Sequence, residues 1–484
     1  MKVLQRGKPV RITPMSQNPG AAVNNLPPIP QLTREQLSIV QSPAPAILVD
    51  AVSGSGKTTV LRAIAAQNPR GLYLTHSKSI ALELEADIKN RNWHCITFYS
   101  LGYRIRSNKE KQHGRSHPAV NFKKHENYTA NKDATKLAMH HIQMAGNVTD
   151  ASWEDTCTRF RMPKGLIKSA RQVYDDFLND QTEISADEMM HHPVANGWKT
   201  AGTFDIVLVD DCEDLNPLQL EMLKLIKTRK LVLVGDRNQA IYGFRGTVVD
   251  VFDQLDTTYS PAHFQLTETF RCPQKVVQAA RNFTPHINTN KPGGYVTDHK
   301  GLDINLPDDC LVLARSNMTL LQMAHKLIQK REHFSLSTSA IESMQKDFYD
   351  NIGEDNKTVE EALQNLKKKK QDMLDRFNAN GWDDGYIKGH FTNTESLLKM
   401  FTTMDAIRNF FNSLDTKKKH RSSRRLMSIH AAKGMEHKNV YLLNRQDCFN
   451  MIAWSKISWQ KKQERNLVYL ACTRSTENLT FVDF

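Results

Sequence analysis

Residues 46–66 constrain the fold more than any other stretch. A short apolar run, Ala46-Ile47-Leu48-Val49, passes through Ala51-Val52-Ser53-Gly54-Ser55-Gly56-Lys57-Thr58 into a helical pattern from Thr59 to Ala66. Glycines let a turn aim successive backbone N–H groups at one point, and the helix that follows adds the positive end of its dipole. A strand, turn and helix in that order suit a phosphate. Ser53, Gly54, Ser55, Gly56 and Thr59 would line the cradle, Lys57 would reach the β- and γ-phosphates, and Thr58 would hold magnesium. Ala51 stands where the generic pattern has its first glycine. The match is therefore one of layout.

A nucleotide triphosphatase also needs a strand that ends in acids. Phe204-Asp205-Ile206-Val207-Leu208-Val209-Asp210-Asp211 supplies it. Asp210, at the carboxyl end, would hold Mg²⁺, and Asp211 beside it would polarise the attacking water. A surface acidic turn is the other reading of these two residues taken alone. ATP and Mg²⁺ are the ligands this pairing predicts.

Short apolar runs recur at 72–74, 206–209 and 231–234, and a second set occupies 311–313, 426–429, 440–443 and 479–482. Continuous runs of this length suit strands buried on both faces of a parallel sheet, so the chain reads as α/β with two sheets. Residues 101–203 and 341–420 are polar and mainly helical, an insertion in each half. Residues 1–30 lack any acid and end in Pro27-Pro28-Ile29-Pro30, which reads as a disordered basic tail or as a transit peptide. A net charge of +13 and a pI near 9.2 suit a polyanionic partner or a merely basic enzyme. Seven scattered cysteines without a CxxC pair argue against a zinc ribbon, an iron–sulfur cluster or a secreted disulfide framework, and fit a reduced cytoplasmic setting. No stretch has the apolar length of a membrane span, so no membrane partner is expected.

An ordered string of blocks then carries a resemblance. Leu32-Thr33-Arg34-Glu35-Gln36, Thr97-Phe98-Tyr99-Ser100-Leu101-Gly102, Asp210-Asp211-Cys212-Glu213-Asp214-Leu215-Asn216-Pro217, and the segment Val234 to Gly246 with Gln239-Ala240-Ile241-Tyr242-Gly243-Phe244 come first. Leu266 to Arg271, Ser428 to Glu436 and Glu464 to Arg474 complete it. With the phosphate turn, the eight blocks resemble the motif series of the UvrD/Rep/PcrA group of superfamily 1 helicases, over residues 32–479.

The resemblance implies two RecA-like parallel-sheet P-loop domains, each with a mainly helical insertion. The expected division is a tail over 1–30, a first RecA-like domain over 31–100 and 204–255, and its insertion over 101–203. The second RecA-like domain takes 256–340 and 421–484, with a reduced insertion over 341–420. ATP would lie between the two sheets, with Arg271 and Arg474 as arginine fingers and Gln239 sensing the γ-phosphate. Gln36 would read adenine, Phe270 would stack on it, and Glu436 would meet the ribose. Tyr242 and Phe244 would stack on DNA bases, with Phe98, His76 and His430 as further DNA-facing candidates. Phe98 beside a strand reads equally as core. The runs Lys367–Lys370 and Lys417–Arg421 would hold duplex phosphates or form solvated faces.

The implied activity is a 3′→5′ translocase or helicase on single-stranded DNA and single/double-strand junctions, in repair or recombination. The second reading is a DNA-stimulated ATPase subunit that regulates a partner: a nuclease, a single-strand-binding protein or another complex subunit. No fused nuclease domain is expected. Several departures bear on this. Asp211 replaces the catalytic Glu, Glu213 a Gln, Asn466 an Arg, Ser428 a Thr, Phe270 a Tyr and Phe244 a Trp.

Overall fold

A computed structural model of the chain describes residues 31–484 except 89, 91, 115, 117, 123, 128–130, 150, 181, 244–249, 381–384, 415–422 and 456. Two parallel sheets organise it. The first orders its strands β3-β2-β6-β7-β1-β8, where β1 is Ala46–Ala51, β2 Gly71–Thr75, β3 Trp93–Thr97, β6 Phe204–Val209, β7 Thr228–Gly235 and β8 Ala262–Leu266. All its pairings are parallel. The second orders β11-β10-β12-β13-β9, with β9 at Tyr295–Lys300, β10 Cys310–Ala314, β11 Arg424–Ser428, β12 His437–Leu443 and β13 Ser475–Asp483, again all parallel. A two-stranded ribbon, β4 Ala119–Val120 with β5 Glu183–Ile184, lies in the first insertion.

Seven of the eight apolar runs read from the sequence are inner strands, the run at 426–429 belonging to the edge strand β11, and burial on both faces explains why most of them lack polar residues. Leu48, Leu72, Val207, Val209 and Leu233 face one core, while Ile47, Val49, Ile206, Leu208 and Val232 face another on the opposite side of the same sheet. Successive side chains point to opposite faces, and both faces are covered. The second sheet repeats this, with Val312 and Leu426 toward one core and Leu311, Leu313 and Val440 toward the other.

Both helical insertions build one face of their sheet's core. The first, with helices Phe98–Gln112, Lys132–Gln143, Trp153–Phe160, Ile167–Asn179 and Ala186–Ala195, packs Leu137, Trp153, Tyr174 and Phe177 in the same cluster as Leu72 and Val207. The second, with helices Thr338–Ile352, Val359–Ala379, Gly385–Leu398 and Met404–Leu414, places Phe348, Phe391, Ile407 and Phe411 in one cluster with Val312 and Val482.

One expected boundary moves. The helix Val251–Tyr259 runs across residue 255 and β8 lies beyond it, yet β8 pairs with β1 through Ile47↔Ala262 to Ala51↔Leu266. The first sheet therefore continues to Leu266. The Lys367–Lys370 run lies on the helix Val359–Ala379, where Lys367 and Lys368 are exposed and Lys369 Nζ donates to the Asp350 carbonyl. Residues 1–30 and the whole Lys417–Arg421 run, within 415–422, lie outside the described residues. No helix among the described residues is long and apolar enough to cross a membrane.

Candidate active site

Strand β1 is followed in sequence by β2 on the far side of β6 and β7, so the chain's winding reverses at β1 and opens a crevice at the strands' carboxyl ends. The phosphate turn, Asp210 after β6 and Asp236 after β7 all sit there. Gly54 (φ 73°) and Gly56 (φ 82°) take left-handed backbone that L side chains rarely adopt. Neither has room for a methyl group: a Cβ would fall 2.6 Å from Arg271 Cβ at Gly54 and 2.7 Å from Gln36 Nε2 at Gly56. Lys57, Thr58 and Thr59 open the helix Lys57–Gln67.

Thr33 and Gln36 form a capping box at the helix Arg34–Gln41, with Gln36 Oε1 accepting from Thr33 N. Gln36 Nε2 then donates to the Ser55 carbonyl at 3.0 Å, so the residue expected to read adenine is also a clamp on the turn. Glu35 next to it accepts from Thr267 N and Oγ1, tying this helix to the end of β8. Phe270 N donates to the Gly54 carbonyl, and its ring is 51% exposed, a large apolar surface left open at the mouth of the turn.

From the second sheet, Arg474 and Tyr469 reach the same turn. Arg474, fully buried, donates to Ser53 Oγ at 2.8 Å and to Gln239 Oε1 at 3.4 Å. Arg271, at the junction between the sheets, donates to Ser53 Oγ at 3.1 Å and pairs with Glu436 at 2.7 Å. Burial first, and then Arg271 beside it, push the Arg474 pKa down to about 10. It is still a cation at neutral pH. The two candidate fingers thus share one hydroxyl on the phosphate turn, and Glu436, expected at a ribose, holds Arg271.

The acids form one buried cluster. Asp210 Oδ2 accepts from Tyr73 Oη at 2.9 Å, and burial with Asp211 beside it raises the Asp210 carboxyl to about 7. Asp211 stays below the usual range: burial opposes its charge, but Lys433 and Lys57 outweigh that. Lys433, from the segment after β11, donates to Glu213 at 3.0 Å, to Asp214 at 2.7 Å and to the Gln239 carbonyl at 3.0 Å. Glu213, where the resemblance expects Gln, therefore makes an ion pair between the two sheets. Lys433, Tyr469 and Tyr73 were not singled out in the sequence. Lys433 and Tyr469 sit inside the motif-like blocks, but nothing in spacing alone says which block members face a partner.

The oxygen donor set of Asp210 and Thr58, beside excess buried negative charge and a buried Ser55 Oγ with no hydrogen-bond partner, fits a hard divalent cation.

Asp211 has φ 51°, left-handed, a conformation that Asp and Asn tolerate better than longer side chains. Asp211→Asn is expected to abolish hydrolysis, by about a hundredfold or more for a lost base. Asp211→Glu adds about 1.5 Å of reach and is expected to leave turnover equal or higher, with a slightly lower melting temperature. Steady-state ATPase and thermal unfolding check both. A dead Glu variant would show that the left-handed turn already brings Asp211 to its target.

Among the DNA-facing candidates, Tyr242 is half-buried, with Oη donating to the His430 carbonyl at 3.5 Å and Lys433 Nζ 5.6 Å from its ring centre. Tyr242, His430 and Lys433 are thus brought together. Phe98 is not with them: it is 1% exposed in the core with Leu101 and Ile105, so no base can reach its ring, and packing explains it fully. His76 is half-buried beside Phe98, at 6.0 Å between ring centres, and burial lowers its pKa to about 4. Phe244 lies outside the described residues.

Fold and site together give an α/β chain with two RecA-like parallel sheets and a glycine turn of P-loop layout between them. Residues 32–260, just under half of the chain, match the family model described as the UvrD/REP helicase N-terminal domain, and over that stretch the chain is similar to the UvrD/Rep/PcrA group. It is 36% identical over 100 residues to a probable DNA helicase of Mycoplasma pneumoniae, covering 20% of this chain and 19% of that protein. It is 31% identical over 103 residues to the ATP-dependent DNA helicase PcrA of Staphylococcus epidermidis, covering 21% and 14%. With F-box DNA helicase protein 1 of Schizosaccharomyces pombe it shares 22% identity over 93% of this chain and 57% of that protein. The chain thus spans less than two thirds of each of these relatives.

Proposed function

We propose that this chain hydrolyses ATP between its two sheets and uses the cycle to move 3′→5′ along single-stranded DNA. The observation that carries the reading is the meeting of Arg474 and Arg271 on Ser53 of the phosphate turn. A second lobe that delivers positive charge to the phosphate site makes hydrolysis depend on how the lobes close, and relative lobe motion is what a motor needs. Thr58 and Asp210 would hold Mg²⁺, which when bound neutralises charge on the phosphates. Lys57 binds the phosphates, Asp211 orients the water, Gln239 senses the γ-phosphate, and Phe270 and Gln36 seat the base. The division into a first domain over 31–100 and 204–266, a second over 267–340 and 421–484, and insertions over 101–203 and 341–420 belongs to this reading. So does work on cytoplasmic DNA.

Forked and tailed duplexes test it, under single-turnover conditions with a 3′ or a 5′ single-stranded tail. The expected result is ATP-dependent displacement from the 3′ tail. Unwinding only from the 5′ tail would overturn the direction, and displacement that needs an added nuclease or single-strand-binding protein would favour a regulatory subunit.

Tyr242→Ala is expected to weaken binding to oligo-dT by the stacking increment, about 1–3 kcal/mol per base. Wild-type affinity should fall steeply with salt, because phosphate contacts release counterions. Fluorescence anisotropy at several salt concentrations measures both, and a salt-independent affinity would remove the nucleic-acid reading of this surface.

A further inference from the structure

A closed circuit of hydrogen bonds crosses between the two sheets, and two of its members, Asp236 and Tyr469, have no role in the scheme above. Ser53 donates its backbone N–H to Tyr469 Oη at 2.9 Å. Tyr469 Oη donates to Asp236 Oδ2 at 3.1 Å, and Gln239 Nε2 donates to the same oxygen at 2.7 Å. Arg474 Nη2 closes the ring through Gln239 Oε1 at 3.4 Å and Ser53 Oγ at 2.8 Å. All five residues are buried, none more than 5% exposed. Water is therefore not at hand to replace a broken link, and each break leaves a buried polar group unsatisfied.

Tyr469 also belongs to a helix face that follows the segment after Asp236. Along the helix Ser458–Cys472, Trp459, Asn466 and Tyr469 fall at spacings that put them on one side. Trp459 packs on Gly243, where a Cβ would fall 2.8 Å from its ring. Asn466 Nδ2 donates to the Ala240 carbonyl at 2.9 Å, and Tyr469 meets Asp236 at its start. One helix of the second lobe thus touches the run from Asp236 to Gly243 at its start, middle and end, and Tyr469 on that face also accepts a hydrogen bond from the phosphate turn. A hydroxyl has one proton to give and lone pairs to receive. Tyr469 uses both functions at once, one toward each side.

We propose that Tyr469 is a positioning residue that couples occupancy of the phosphate turn to the conformation of the Asp236–Gly243 segment, and through it to single-strand binding at Tyr242. The proposal rests on the reading of the site as ATP- and DNA-binding. A nucleotide that draws Ser53 toward its phosphates changes the Ser53-to-Tyr469 link. The Tyr469 hydroxyl can then shift on Asp236, where Gln239 also bonds. Binding coupled in this way is reciprocal, and a fivefold or larger effect is typical.

The test is the affinity of the full chain for oligo-dT with and without a saturating non-hydrolysable ATP analogue and Mg²⁺, for wild type and Tyr469→Phe. Phe keeps the buried ring and removes only the hydroxyl, and a melting curve confirms folding. Wild type is expected to change its oligo-dT affinity about fivefold or more on binding the analogue, and Tyr469→Phe to change it less than twofold while still binding each ligand. Asn466→Ala, which loosens the same helix face without touching the phosphate turn, should keep more of the coupling than Tyr469→Phe. Undiminished coupling in a folded Tyr469→Phe variant, or wild type that binds both ligands without coupling, would overturn the proposal. Failure of wild type to bind ATP analogue or oligo-dT would instead remove the functional reading beneath it.

Discussion

Arg474→Lys is expected to cut ATP turnover about a thousandfold or more, the scale on which arginine fingers act. Lysine keeps the charge but loses the planar fork. Arg474 uses that fork fully: Nε donates to the Leu470 carbonyl, Nη1 to the Met435 carbonyl and Nη2 to Ser53 Oγ. A single ammonium cannot hold its own helix end, the segment after β11 and the phosphate turn together. The loss should fall on kcat more than on KM, because the interaction matters most when charge builds on the transferring phosphoryl group. Stopped-flow phosphate release and analogue binding separate the two. Turnover within tenfold of wild type would mean that Arg474 is a structural strut.

Lys57→Ala is the second large effect. Lys57 heads the helix Lys57–Gln67 and acts on Asp210, Asp211 and Asp236, lowering the carboxyl pKa of each. Its removal takes a cation from the phosphates and leaves that acid cluster with Lys433 as its main counter-charge. Hydrolysis is expected to fall about a hundredfold or more, the scale for losing one preorganised stabilising group. Oligo-dT binding should stay within a few-fold, because the DNA-facing candidates Tyr242 and His430 are held by contacts with each other and with Lys433 of the second lobe. ATPase and anisotropy on the same preparation check this, and unchanged hydrolysis would remove the phosphate-site assignment.

What the sequence disclosed follows the burial of its strands. Inner strands such as β1, β6, β7, β10 and β12 need apolar residues on both faces, so they stand out as continuous runs. Within the two large sheets the strands missed were β3, β8 and β9, each at a sheet edge, and the short ribbon strands β4 and β5 were missed as well. In β8 and β9 exposed positions carry polar residues, and Ala262-His263-Phe264-Gln265-Leu266 and Tyr295 to Lys300 look like loop. Missing β8 also misplaced the boundary at 255. The phosphate turn and the acids were legible because their chemistry is local: a strand, a turn and a helix within about twenty residues. Tyr469, Lys433 and Glu35 were not, because each acts on a partner more than two hundred residues away. Phe98 stayed open between base stacking and core for the opposite reason, since an aromatic after a strand looks the same whether it faces solvent or core, and its burial decides for core.

The second helical insertion shares its apolar interior with the sheet that carries Arg474. With Phe348, Phe391 and Phe411 in one cluster with Val312 and Val482, the described residues leave no lubricated seam along which the helices could swivel. Load applied to them is therefore transmitted straight to the lobe that holds Arg474, as a lever arm would carry it. Excising 338–414 would strip a face of that lobe bare, so the block is a structural beam and cannot be trimmed away as an accessory.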